Sequence, residues 1–222
     1  MAYAKIPLSL YKIHVVQIWV GFFRPDWLNR VVDTNKEYAN LHGYTYELLH
    51  NNASQKVDTH IKKIDLFTQR LKHATDTDVF LYMDTDAMVW NTSIGLDTFP
   101  YNLYDFIISG HYHGIDEKGR TITPKTSTGA PAGINSGVWI VRGTTWAKKL
   151  FRMWASARNT GCCERVPGDQ VLLFHIINRK FVKDFESHAL YVNAARLNMD
   201  DSLVRLGKAK RPSAQFIIHL WG

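Results

Sequence analysis

Apolar positions along the chain fall into blocks that alternate between two periods. Ile13 to Val20 is β-rich and almost continuously apolar, the pattern of a strand covered on both faces. Pro25 then opens a helical stretch, PDWLNRVVDTNKEYANLHG, in which Leu28, Val31, Val32 and Tyr38 recur at helical spacing and Gly43 supplies the stop. Tyr44 to Leu49 reads as a second strand. After the polar HNNASQ a second helix follows, with Asp58 as its expected cap and Ile61, Ile64, Phe67 and Leu71 on one stripe. Asp78 to Met83 is a third strand, the most apolar of the three. Asp105 to Ser109 and Gly137 to Arg142 predict further strands, separated by a loop rich in glycine, threonine and proline that runs through Gly133. Thr144 to Arg158 is an amphipathic helix carrying Trp146, Leu150 and Trp154. Asp169 to Asn178 is a short apolar helix after Pro167 and Gly168, and Phe216 to Leu220 is a last strand.

Strands alternating with helices of this length predict an α/β fold: a central, mostly parallel sheet with helical crossovers, a Rossmann-like layer flanked by helices. The 222 residues suit one domain spanning 1–222. A hydrophobic share of 45% against 21% charged excludes disorder and coiled coil. Cys162 and Cys163 are the only cysteines and are adjacent, so no disulfide framework is expected, which fits a reducing compartment. The formal charge of +7 favours anionic partners such as nucleotides or phosphates without choosing among them. No run reaches the roughly eighteen apolar residues of a membrane helix. The apolar N-terminal stretch is broken by Lys12 and His14 and reads as a buried strand, so no membrane span and a soluble chain are expected.

The most informative segment is VFLYMDTDAMVW, where the third strand delivers Asp84 and Asp86 to its carboxyl end. In an extended chain residues i and i+2 project to the same side, so the two carboxylates can converge. Parallel α/β sheets bind ligands at that end of their strands. Unpaired converging carboxylates repel, and a hard divalent cation, itself able to hold a diphosphate, removes that cost. Two chemistries use this arrangement. One is glycosyl transfer from a nucleotide-sugar. The other is phosphoryl transfer of the haloacid-dehalogenase type, with Asp84 as nucleophile and Asp86 as acid/base. The latter pattern wants Thr or Val where Met88 stands and tends to sit on the first strand, although Asp200 and Asp201 could pose as its late acidic pair. A glycan- or nucleic-acid-binding module built on the basic and aromatic residues ranks last.

Six segments in order, HGYTYELL, IKKIDLFTQRL, DVFLYMDTDAMVWN, INSGVWIVR, GDQVLLFHII and FIIHLWG, resemble the GT-A fold retaining glycosyltransferases. The likeness is above all to the galactomannan galactosyltransferase and yeast α-1,6-mannosyltransferase group. It is looser to the glycogenin-like enzymes, and it extends to the small transferases that large algal viruses encode for capsid glycans. The resemblance implies a nucleotide-sugar donor, UDP-linked, and a glycan or glycoprotein acceptor, with no nucleic-acid partner. It implies Mn²⁺, or Mg²⁺, held by Asp84, Asp86 and His219, the last from a His-x-x-Gly pattern that ends at Gly222. Lys62 or Lys63, with Lys63 the better match, is expected near the diphosphate. Gln17, Ile18 and Trp19 occupy the segment that receives the base. Asn135, Ser136 and Gly137 match a turn lining the sugar pocket, and Asp169 and Gln170 a pair beside the anomeric carbon. The residue types themselves also allow an ordinary strand-entry turn at Asn135–Gly137 and a helix cap at Asp169. His111, Tyr112 and His113 are candidates for acceptor contact, and the basic LGKAKRP for a phosphate clamp or a solvated loop. Eukaryotic relatives carry a membrane anchor and stem that have no counterpart here, and their pattern runs on past the last glycine. Both departures fit a domain cut from a longer polypeptide. A cytoplasmic location is expected, in the host cytoplasm if the protein is viral.

Overall fold

A computed structural model describes residues 7–21, 25–51, 59–110, 134–157, 168–177, 182–192, 197–200 and 215–219. Asp58, His111, Tyr112, His113, Cys162, Cys163, Asp201, the LGKAKRP stretch and Gly222 lie outside these residues. The described elements are β1 (Lys12–Val20), α1 (Asp26–Leu41), β2 (Thr45–Asn51), α2 (Thr59–Lys72), β3 (Asp78–Met83), β4 (Ala87–Val89) and β5 (Phe106–Gly110). They continue with β6 (Ile134–Arg142), α3 (Thr145–Ser156), α4 (Asp169–Ile176), α5 (Val182–His188), β7 (Ala189–Val192), β8 (Met199–Asp200) and β9 (Ile217–His219).

Six strands form the central sheet in the order β2-β1-β3-β6-β5-β7. The β1–β2, β1–β3 and β5–β7 pairs are parallel, and β6 runs antiparallel to both its neighbours. This is the mixed, mostly parallel α/β sheet that the strand–helix alternation predicts. Because side chains alternate across a strand, β3 feeds two cores. Phe80 and Tyr82 join Ile64, Phe67 and Leu71 of α2 and Leu150, Phe151 and Trp154 of α3 on one face. Val79, Leu81 and Met83 join Tyr38 and Ala39 of α1 and Phe216 and Ile217 near the C-terminus on the other. Every one of these side chains is buried. Burying both faces explains why β3 reads as an unbroken apolar run from Val79 to Met83.

Helix α1 ends as its sequence requires. Gly43 adopts φ +69, a left-handed conformation that glycine takes without steric cost, and the chain turns directly into β2. Helix α3 is capped by Thr144, whose hydroxyl accepts from Ala147 N at 3.3 Å.

Two expectations need correction. Asn135, Ser136 and Gly137 are not a turn at a strand entry but lie inside β6. The β5–β6 ladder jumps there from Ile108↔Trp139 to Ser109↔Asn135, a bulge that frees the Ser136–Val138 backbone from β5 while Gly137 O still accepts from Asp84 N at 2.7 Å. Nor do Asp84 and Asp86 lie on an extended strand. The chain leaves β3 at Met83, and a turn closed by Ala87 N to Asp84 O at 2.9 Å brings it into β4. A small second sheet, β4-β9-β8, then carries His219 back to the turn: Ala87 is the register partner of His219.

Candidate active site

The turn, the small sheet and the β6 bulge meet at the carboxyl end of β3, where a cleft of about 1040 Å³ opens. Asp84, Asp86 and His219 lie on its wall with ligand atoms all within 4.8 Å of one another. His219 Nε2 is 2.8 Å from Asp86 Oδ1 and 3.9 Å from Asp84 Oδ2. Burial alone would lower the His219 pKa, but the hydrogen bond and charge of Asp86 outweigh it and hold it raised. Asp86 is the reciprocal case: burial would raise it, and His219 keeps it lowered. Two carboxylate oxygens and one imidazole nitrogen at this spacing are a donor set that fits Mn²⁺ or Mg²⁺.

Gly137 makes the approach possible. A Cβ built there would collide with His219 Cε1 and stand 3.1 Å from Asp84 Oδ2. The bulge therefore places the one residue without a side chain where the histidine ring packs on the strand.

Lys63 points inward from α2, 6% exposed, and it is the lysine of the pair that faces the cleft. Its Nζ lies 2.8 Å from Asp84 Oδ1, 3.0 Å from Asp84 Oδ2 and 3.1 Å from Asp169 Oδ2. Burial would lower its pKa, and the two carboxylates more than reverse that, so it stays a cation. Tyr82 donates to Asp84 Oδ1 at 2.6 Å, its ring stacked on Trp139 at 3.8 Å between centroids. Burial, with Asp84 adding to it, raises the Tyr82 pKa well above its ordinary value, so the phenol remains a donor.

Asp169 opens α4, but the cap position belongs to Gly168 and the Asp169 side chain makes no capping bond. Its carboxylate turns to Lys63 instead, with His60 Nδ1 at 3.7 Å on the other side, and its carbonyl accepts from Trp154 Nε1 at 2.7 Å. Gln170 Oε1 accepts from Ser136 N at 3.2 Å, and Asn135 Oδ1 accepts from Gly137 N at 2.9 Å. All five of Asn135, Ser136, Gly137, Asp169 and Gln170 line the cleft, as do Ile18 and Trp19.

Gln17 is placed differently. It is fully buried behind the Asp84–Ala87 turn, donating to the carbonyls of Asp84 at 3.1 Å and Ala87 at 3.4 Å and accepting from Tyr46 at 2.8 Å. It does not line the cleft that Ile18 and Trp19 enter, and its side chain supports the turn instead. Sequence reasoning missed Tyr82, which the buried aromatic two residues before Asp84 could have signalled. It also missed Trp27 and Arg30, which line the cleft from the first turns of α1. Trp27 is 46% exposed, and a tryptophan placed outside the apolar stripe of an amphipathic helix was the available signal.

Among solved structures, the fold is similar to a glycosyltransferase involved in glycosylation of the major capsid of PBCV-1. The TM-score is 0.66 at 16% identity, over 95% of this chain and 93% of that one. It is similar also to the galactosyltransferase LgtC, solved with donor and acceptor sugar analogues: TM-score 0.54, 13% identity, 94% and 87% covered. Mouse xyloside xylosyltransferase 1 gives a TM-score of 0.54 at 11% identity, with 94% and 97% covered. These likenesses establish the GT-A fold. No curated protein matches by sequence. The galactosyl transferase GMA12/MNN10 family matches over residues 21–222, nearly the whole chain. The phosphatase alternative finds no support in family or fold. The chain therefore belongs to the galactosyl transferase GMA12/MNN10 family, and it is a glycosyltransferase enzyme.

Proposed function

We propose that this glycosyltransferase is metal-dependent and retaining, moving a sugar from a UDP-linked donor to a hydroxyl of a glycan or glycoprotein acceptor, with residues 1–222 forming one catalytic domain. The carrying observation is the Asp84–Asp86–His219 cluster in the wall of a cleft at the carboxyl end of β3. These three residues would hold Mn²⁺ or Mg²⁺. When bound, such a cation supplies Lewis-acid neutralisation of the charge that builds on a departing diphosphate. The preference for UDP and for retention rests on the motif resemblance alone.

The chain's own residues account for the rest. Lys63, kept charged between Asp84 and Asp169, is a second positive group on the diphosphate side. The Asn135 NH₂ group, whose amide oxygen is held by Gly137 N, offers hydrogen bonds to sugar hydroxyls, and the bulge brings Ser136 and Gly137 into the cleft lining beside it. The carboxylate of Asp169 and the amide of Gln170 would stand by the anomeric carbon and steady its developing positive charge. Ile18 and Trp19 form the wall for the base. In the transfer, the bond from the anomeric carbon to the diphosphate oxygen breaks. The acceptor oxygen bonds to the same face, and its proton passes to a diphosphate oxygen, so configuration is retained.

Incubation with UDP-sugars and Mn²⁺, followed by NMR of the product, tests this. The wild type should release UDP and give the donor's own anomeric configuration, and Asp86→Ala should lower turnover by about 100-fold or more. Undiminished turnover in Asp86→Ala would count against the metal role, and an inverted product against retention.

A further inference from the structure

His219 uses only one ring nitrogen in the cluster. The other, Nδ1, lies 3.2 Å from Oδ1 of Asn198, the residue immediately before β8. Both are enclosed, His219 2% and Asn198 1% exposed. Backbone pairing fixes their separation, since β8 runs parallel to β9 with Met199↔Ile218 and Asp200↔His219. Gly137 packs against the ring's Cε1–Nδ1 edge, where no side chain fits.

The Asn198 amide is an expensive group to bury here. Its Nδ2 has no hydrogen-bond partner among the described residues, and an enclosed amide N–H without an acceptor is unfavourable. A leucine of similar size would avoid that cost. What Asn198 provides in return is one uncharged acceptor, aimed at Nδ1. An imidazole that gives Nε2 to a cation carries its remaining proton on Nδ1, and that N–H needs an acceptor within the protein.

We propose that Asn198 is a positioning residue: its Oδ1 fixes the His219 ring in the Nδ1–H tautomer and turns Nε2 toward Asp84 and Asp86. The role rests on the metal reading given above. It separates two functions that a buried asparagine could have, because a purely structural Asn198 would be replaced with loss of stability and no specific effect on the cation.

The test is Mn²⁺ titration of the nucleotide-free protein, followed by electron paramagnetic resonance of free Mn²⁺ and paired with thermal melting. Asn198→Leu should weaken Mn²⁺ binding by about 10–100-fold while melting at or above the wild-type temperature. Asn198→Asp, which keeps the acceptor, should bind within a few-fold of wild type. Asn198→Ala, which fits whatever the local packing, should weaken binding as leucine does. In the Mg²⁺-loaded protein, ¹⁵N NMR should place the His219 ring proton on Nδ1 in the wild type and in Asn198→Asp. Wild-type Mn²⁺ affinity in both Asn198→Leu and Asn198→Ala would overturn the proposal, as would equal weakening in Asn198→Asp. A wild type that leaves the Mn²⁺ signal unchanged would remove the metal reading itself, and this role with it.

Discussion

At Gly137 the main chain passes so close to His219 and Asp84 that a methyl group has no room: a Cβ would meet His219 Cε1 and sit 2.8 Å from its Nδ1. Those atoms are ring and carboxylate rather than the loose end of a flexible chain. Gly137→Ala should therefore displace His219 and cost at least about tenfold in Mn²⁺ affinity by calorimetry, and unaltered affinity would mean the ring relocates freely. Tyr82 makes a complementary case on the opposite side of the cluster. Its hydroxyl donates to Asp84 Oδ1, while Lys63 holds both oxygens of that carboxylate and Oδ2 lies on the side of His219. Tyr82→Phe removes one oxygen and keeps the stack on Trp139. The expected result is a roughly 10-fold fall in kcat/KM, with the metal concentration for half-activity moved upward. A fall in kcat/KM that saturating metal does not reduce would assign Tyr82 to something other than Asp84.

Elements carry the stability of this arrangement, and the edge between β2 and α2 shows it. Arg70 on α2 donates twice to Glu47 on β2, both at 2.7 Å, and His14 on β1 lies 3.2 Å from the same carboxylate. The Arg70 hydrogen bonds, with His14 after them, hold the Glu47 pKa near 2 against an ordinary 4.5. Because the folded value is the lower one, this contribution is complete above about pH 4.5 and disappears as the pH falls toward 2. Urea denaturation should show the wild type losing stability on the order of 2 kcal/mol more than Glu47→Gln across that window. Parallel pH curves for the two would place the acid sensitivity elsewhere. The same elements show where sequence patterning succeeds. Helices α1, α2 and α3 are legible because each buries one stripe at helical spacing, and α1 and α3 add a local stop in Gly43 and a cap in Thr144. Strand β9 is foreshadowed by the apolar run Phe216 to Leu220, but β4 and β8 span only three and two residues, too few for any period to register, and a sequence shows no sign that Ala87 will face His219. The bulge in β6 is equally silent, since Asn-Ser-Gly has the composition of a turn and only the antiparallel neighbours make it a strand.

On the scale of the whole molecule, the site is assembled from parts far apart in the chain: a turn after β3, a bulge in β6, the first residue of α4 and the last strand. The two aspartates and Gly137 could be recognised one by one from motifs, but the distances among them exist only once the small sheet docks on the large one. Asn198 and Gln17 show the remainder. Both are buried polar residues whose partners lie 21 and 67 residues away, beyond what local pattern can report. The net charge of +7 suits an anionic donor, yet the cleft is lined by Asp84, Asp86 and Asp169, three carboxylates where a diphosphate is proposed to bind. A divalent cation reconciles the two, and that is the central claim. It is tested most directly by calorimetric titration of UDP into the protein with Mn²⁺ and with chelator. The account predicts tight binding with Mn²⁺, binding weakened at least about 100-fold in chelator, and no Mn²⁺ effect in Asp84→Ala/Asp86→Ala. UDP binding of equal strength with and without the metal would contradict it.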